Sequence, residues 1–253
     1  MAEVDLGALA AWAVVYPSAG RTLAGYLFVP EGEGPFPAMV VNHGSAGLRP
    51  TMRGVGEAFT GMGYAAFVPV RRGYHGNPGP NWRTRISAAD GSDAWGVQLV
   101  QALGEENDDV LAGRDWLASQ PRIDGARIGI TGTSFGGIMT LLAIGRTHRF
   151  RAAVNFAAAA MTWERAPAMQ DALRDAVRRT ETPLMLIQAQ NDYSLVPTYA
   201  LGAELAQRGQ PHESRVYPPH GDGPGAGHAL FTTGIATWRA DVQAFLARWM
   251  GTT

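Results

Sequence analysis

The sequence predicts an α/β protein: a mostly parallel central sheet with helices on both faces. Three observations predict it. Short β-rich runs alternate with longer helical patterns along the chain, the order expected when helices cross between parallel strands. The run Ala38 to Asn42 (AMVVN) is almost continuously apolar, as a strand covered on both faces must be. The last helical pattern places Ile235, Trp238, Val242, Phe245 and Trp249 at three- and four-residue steps, which gives it one apolar face to lay on a sheet.

Taken in order, Trp12 to Tyr16 and Leu23 to Val29 are two early strands, separated by the turn residues Pro17, Ser18, Ala19 and Gly20. After the strand Ala38 to Asn42, a helix over Met52 to Met62 leads to a strand over Ala65 to Val70. A helix from about Asp108 to Ser119 opens with acidic residues, which suit a helix N-terminus, and stops before Pro121. Then come a strand over Arg127 to Thr131, a helix over Ile138 to Arg146 and a strand over Ala152 to Phe156. Leu184 to Ala189 is a further strand, Thr198 to Gln207 a helix, and Glu213 to Tyr217 the last strand before the final helix. Two segments are too long for simple connections, residues 71–103 and 157–182. Both follow the C-terminal ends of strands, where open α/β sheets place ligand sites, so both are expected to wall a pocket. Without repeats or a linker-like stretch, residues 1–253 are expected to form one domain.

Composition removes several kinds of chemistry. There is no cysteine, and all 21 basic residues are arginine. Disulfides, thiolate metal sites and cysteine nucleophiles are therefore absent, as are Schiff-base lysines and the lysine of a phosphate-binding loop. A formal net charge of −1 gives no reason to expect nucleic acid or an anionic membrane as partner. The N-terminus carries Glu3 and Asp5 in place of a basic region, unlike a secretory signal, and no apolar run reaches the ~20 residues of a membrane span. A cytoplasmic monomer or homodimer acting on a small molecule is expected. The histidines lack a metal-binding spacing such as H-E-x-x-H, so neither a metal nor an organic cofactor is expected.

The chemistry-bearing stretch is Arg127 to Gly137, RIGITGTSFGG. It holds Gly132-x-Ser134-x-Gly136 between an apolar strand and an apolar helix, the context a strand-to-helix nucleophile turn requires. Glycines on either side of the serine let neighbouring backbone approach without a Cβ clash. The same letters also resemble the glycine turn of a dinucleotide site. That reading fails because Ile138 stands where the last glycine belongs, the turn lies mid-chain, and no lysine exists to assist. A serine nucleophile needs a base, and the base needs an orienting carboxylate. Asp192, directly after the strand Leu184 to Ala189, is the candidate acid, with Asp222 as runner-up. His228, in the glycine-rich loop before the last helix, is the candidate base, and His220 stays as alternative. Two backbone N–H groups must meet the oxyanion. Phe135, the residue after the nucleophile, supplies one; Ser45, in the turn His43-Gly44-Ser45-Ala46-Gly47, supplies the other.

Together the HGSAG turn, the RIGITGTSFGG elbow, the NDYSLVP acid loop and the GHALF loop resemble the dienelactone hydrolase and prolyl-oligopeptidase-like branch of the α/β-hydrolases. The resemblance runs from about residue 20 to the end. It implies the α/β-hydrolase fold, with about eight mostly parallel strands flanked by helices on both faces, and a Ser-Asp-His hydrolase of acyl compounds. The chain departs from that branch twice: dienelactone hydrolases use a cysteine, and 253 residues leave no room for an oligopeptidase propeller. The loop Arg71 to Gly79 resembles one that relatives place beside the site. Arg71 or Arg72 either grips a substrate carboxylate or braces the loop against an acidic residue. His43 and Tyr74 are further pocket candidates, although bracing the turn is the stronger reading of His43. Trp82, Trp95, Met161 and Trp163 either line an apolar pocket or belong to the core. The expected function is hydrolysis of carboxylic esters. The alternatives are cleavage of short amides and an idle hydrolase-fold protein that binds a small ligand.

Overall fold

The computed structural model describes residues 7–251; the acidic start of the chain, with Glu3 and Asp5, lies outside the described residues. A 3-10 turn, Gly7–Trp12, precedes β1 (Ala13–Ser18) and β2 (Arg21–Phe28). Ala19 and Gly20 join this hairpin with φ of 47° and 75°, the left-handed pair that matches the twist of adjoining strands. Next come β3 (Phe36–Asn42), α1 (Met52–Thr60), β4 (Ala65–Pro69), α2 (Trp82–Arg85) and α3 (Asp93–Ala118). Strand β5 (Ile123–Thr133) leads into α4 (Phe135–Arg146), followed by β6 (Ala153–Phe156), α5 (Pro167–Arg179) and β7 (Leu184–Ala189). The chain continues through α6 (Val196–Gln207), β8 (His212–Tyr217), α7 (Gly223–His228), α8 (Leu230–Thr233) and α9 (Ile235–Met250).

The eight strands form one sheet in the order β1-β2-β4-β3-β5-β6-β7-β8. Only the pairings of β2, with β1 and with β4, are antiparallel; every other pair is parallel. Strand β3 therefore lies between β4 on one side and β5 on the other, and the chain progresses in opposite directions from it. At such a reversal the loops leaving the C-terminal ends diverge and open a crevice.

Alternation along the strands divides the interior in two. On β3, Ala38 and Val40 join the cluster under α3, α4, α5 and α6, whereas Met39 and Val41 join the cluster under α1 and α9. Helix α9 docks as its pattern predicts. Trp238 is fully buried, and its ring centroid lies 5.4 Å from that of Phe156 and 5.9 Å from that of Phe231. Its indole N–H donates to the carbonyl oxygens of Leu230 and Phe231, so this buried donor is paired. No helix among the described residues is long and apolar enough to cross a membrane.

Several expectations need correction: Pro17 and Ser18 end β1 rather than forming the turn, and β5 starts at Ile123 rather than Arg127. Trp12 ends the 3-10 turn rather than opening a strand. His228 closes the short helix α7 rather than lying in an irregular loop. The largest difference is α3, which begins at Asp93 instead of Asp108. Its start is marked by Ser92, whose hydroxyl accepts from the Trp95 N–H, an N-cap. The acidic run around Glu105 to Asp109 mimics a helix start, but it sits mid-helix because Glu106 and Asp109 are buried partners of arginines.

Replacing Trp238 with alanine empties the junction of α9 with Phe156 and Phe231. The expected loss of unfolding free energy is about 3–5 kcal/mol, read from the shift of a urea denaturation midpoint.

Candidate active site

Ser134 stands between β5 and α4 with φ 57° and ψ −120°, a conformation that L-residues hold only where their surroundings enforce it. The enforcement is steric. A Cβ at Gly132 would overlap the Gly136 carbonyl, and one at Gly136 would overlap the Asn42 carbonyl at the end of β3. A Cβ at Gly137 would lie 2.9 Å from the Phe156 carbonyl oxygen. The elbow thus presses against β3 on one side and β6 on the other. The backbone N–H of Ser134 donates to Phe156 O at 3.0 Å, and the serine's own carbonyl accepts from Ile138 N–H at 3.0 Å. The N–H of Phe135, first in α4, has no partner among the described residues and carries the positive end of the helix.

The turn after β3 runs beside this serine: a Cβ at Gly44 would stand 3.7 Å from Ser134 Cβ. The Gly44 carbonyl is held from behind by His43 Nδ1 at 2.9 Å, Gly47 N–H at 3.2 Å and Arg71 Nη2 at 3.4 Å. In a trans peptide the C=O and the following N–H point in opposite directions, so pinning the Gly44 carbonyl aims the Ser45 N–H away from that anchor. The Ser45 N–H has no partner among the described residues. The next carbonyl, Ser45 O, accepts from Arg83 Nη1 at 2.7 Å. His43 is 1% exposed. Burial, with the neighbouring Arg71 cation, holds its imidazole well below the usual pKa, so it is neutral. Nδ1 then carries the proton that Gly44 O receives, and Nε2 accepts from Arg71 N–H at 3.4 Å.

Of the two readings of Arg71 and Arg72, the structure shows the bracing one. Both guanidiniums are engaged by buried carboxylates. Arg71 is fully buried, its Nε donating to Glu106 at 2.8 Å and its Nη1 to the His43 carbonyl at 2.9 Å. Arg72 grips Asp109 bidentately, at 2.8 and 2.7 Å. Tyr74 is likewise buried, its ring centroid 4.8 Å from that of His43 and its hydroxyl 3.4 Å from Ser45 O. His43, Arg71, Arg72 and Tyr74 therefore brace the loop, and none of them lines the cavity beside Ser134.

Asp192 and His228 come together. His228 Nδ1 lies 2.8 Å from Asp192 Oδ1, which also accepts the Tyr193 N–H at 2.7 Å, while Oδ2 accepts from Gln188 Nε2 at 2.9 Å. His228 Nε2 is buried and has no hydrogen-bond partner among the described residues. The two alternatives are placed elsewhere: His220 Nε2 lies 2.8 Å from Thr233 Oγ1, and Asp222 precedes α7. Asn191 fastens the two loops. Its amide nitrogen donates to Gly223 O at 2.9 Å and to Gly221 O at 3.1 Å, and its oxygen accepts from His220 N–H at 2.9 Å. A Cβ at Gly227 would stand 2.6 Å from Asn191 Oδ1, so only glycine lets the loops meet this closely.

A cavity of ≈ 480 Å³ opens beside Ser134, Phe135 and Ser45. Trp82, Trp95 and Met161 line it, together with Ile86 and Arg83. Trp163 does not; it is 3% exposed and packs in the core with Arg174 above its ring. Gln188, Arg83 and Glu106 escaped sequence reasoning, and Asn191 entered it only as a letter of the acid-loop motif. Amides and lone charges carry no motif, and only the fold shows what they touch. Among the described residues no group of three or more His, Asp or Glu side chains is placed to hold a metal ion.

A family model described as the dienelactone hydrolase family matches residues 23–249. An uncharacterized peptidase of Bacillus subtilis, YuxL, is 41% identical over 70 residues, 25% of this chain and 11% of its own length. The chain thus spans a small part of that curated relative. The acylaminoacyl peptidase of Pyrococcus horikoshii superposes with a TM-score of 0.68 at 19% identity, over 95% of this chain and 42% of that one. A Pyrococcus furiosus esterase superposes with a TM-score of 0.67 at 16% identity, over 94% of this chain and 91% of that one. The fold is that of the α/β-hydrolases.

Truncating Glu106 to alanine would leave the buried Arg71 guanidinium without its counter-charge. The expected cost is about 3–5 kcal/mol of folding stability, measured by chemical denaturation.

Proposed function

The chain belongs to the dienelactone hydrolase family, and from that membership and the site geometry we propose that it is a serine hydrolase cleaving carboxylic esters. The observation that carries the reading is the Asp192–His228 pair, 2.8 Å apart with Nε2 left unpartnered, on the same edge of the sheet as the strained Ser134.

In this mechanism Ser134 Oγ attacks the ester carbonyl while His228 Nε2 takes the hydroxyl proton. Asp192 accepts from Nδ1–H, which keeps the free lone pair on Nε2 and stabilises the imidazolium. The carbonyl oxygen, now negative, is met by the N–H groups of Ser45 and Phe135, which need no reorganisation because Gly44 O and α4 already fix them. Collapse expels the alkoxide, which leaves as the alcohol with the proton from His228, and an acyl-Ser134 remains. Water, deprotonated by the same nitrogen, attacks that ester; the acid departs and Ser134 recovers its proton. The apolar walls Trp82, Trp95 and Met161 suit an apolar substituent on the ester. His43, Arg71 and Arg83 act as positioning residues, since each holds a carbonyl of the oxyanion turn.

Two outcomes follow. Ser134→Ala is expected to abolish hydrolysis of p-nitrophenyl acetate and labelling by a fluorophosphonate while the circular dichroism spectrum is unchanged; full turnover by that variant would sink the mechanism. A wild type that neither labels nor turns over any ester would make it a binding protein instead, and matched amide and ester pairs separate peptidase from esterase. His43→Ala is expected to lower kcat about tenfold with little change in KM, less than the ~100-fold or more lost with an oxyanion donor itself, as steady-state kinetics will show.

A further inference from the structure

The cavity beside Ser134 has walls from two distant parts of the chain. Ile86 and Asp90 come from the approach to α3 and Trp95 from its first turn, whereas Ala160, Met161 and Arg165 come from the arch between β6 and α5. At the rim the two parts meet in one charged contact. Arg165 Nη2 stands 2.6 Å from Asp90 Oδ1, with side-chain exposures of 49% and 67%, and the same guanidinium lies 5.0 Å from the Trp95 ring centroid. Below the rim the join is close and apolar: a Cβ at Gly96 would lie 3.5 Å from both Cα and Cβ of the fully buried Ala166. The far side of the arch is tied to the acid loop, where Ser194 Oγ donates to Glu164 at 2.8 Å. The arch itself is sprung, since Ala157 and Ala159 hold φ of 54° and 58°, values that persist only under outside constraint.

We propose that the Asp90–Arg165 pair is a specificity-determining latch, which fixes the outer wall of the cavity and so limits the size of the ester's apolar substituent. The proposal rests on the serine-hydrolase reading above. An ion pair this exposed contributes little to global stability, but it is the rim contact that sets how far the arch stands from Trp95. With the latch broken, Arg165 leaves the Trp95 face and the wall moves outward, while the packed Gly96–Ala166 base keeps the arch folded. Because both partners face solvent, salt screens the latch.

The test compares kcat/KM across p-nitrophenyl esters from acetate to decanoate, and across acetate esters of alcohols of rising length; the series that responds identifies which side of the ester occupies the cavity. Asp90→Arg and Arg165→Asp are each expected to raise the long-to-short ratio in one series about fivefold, ~1 kcal/mol of discrimination. The reciprocal double variant should bring the ratio back to within about twofold of wild type, and raising ionic strength should move only the wild type and the double variant toward the single variants. Folding of each variant is checked by its melting temperature. Unchanged ratios in both series, or a double variant that keeps the altered ratio of the single variants, would overturn the latch alone. A wild type with no ester turnover would instead overturn the catalytic reading beneath it.

Discussion

The site depends on one buried ion pair, Arg71 with Glu106, exposed by 0% and 1%. Removing two charges from water costs several kcal/mol each, so such a pair persists only when every remaining donor and acceptor is satisfied. Here the satisfaction is what links the parts. The Arg71 fork reaches Glu106, the His43 carbonyl and the Gly44 carbonyl, and the second oxygen of Glu106 accepts the Trp82 N–H at 2.7 Å. The end of β4, the turn after β3, the start of α2 and the middle of α3 are thereby held at fixed mutual distances. A lysine has no planar fork and could not meet three differently directed acceptors in this way. The all-arginine composition of the chain fits this site, although the exposed arginines have no such requirement.

The strain at Ser134 is the counterpart of that rigidity. A left-handed serine relaxes unless its neighbours forbid it. Here Gly132, Gly136 and Gly137 let β3 and β6 close around the elbow so tightly that no side chain larger than hydrogen fits. The acid and the histidine are fixed by other means. Asn191 laces the loop before α7 onto the loop after β7, and Gln188 holds the Asp192 oxygen that His228 does not use. One half of the site is ordered by steric exclusion and the other by amide hydrogen bonds.

Much of this architecture was legible in the sequence. Continuous apolar runs give the central strands, and the three- and four-residue periodicity of Trp238, Val242 and Phe245 gives α9, because hydrophobic periodicity is a local property. Gly132-x-Ser134-x-Gly136 locates the elbow for the same reason. What could not be read was pairing across the chain. Arg71 and Arg72 read either as ligand-binding or as loop-bracing cations until Glu106 and Asp109 are found against them, and those acids look like a helix start until their burial is known. A single charge reads the same whether it faces water or a buried partner; only tertiary structure separates the cases. Trp163 and Trp95 illustrate the point for aromatic residues, one closed into the core and the other on the cavity wall.

Helix α3, 26 residues long, also serves as a ruler. Its first turn carries Trp95 at the cavity, and its middle presents Glu106 and Asp109 to the two arginines. Helical geometry fixes the spacing of these tasks, at 1.5 Å of rise and about 100° of rotation per residue. Inserting or deleting one residue between Trp95 and Glu106 would swing both carboxylates about 100° away from their arginines, or carry Trp95 off the cavity wall. Lengthening an unpacked surface loop costs little closure entropy, but this helix can change only by steps that restore its phase.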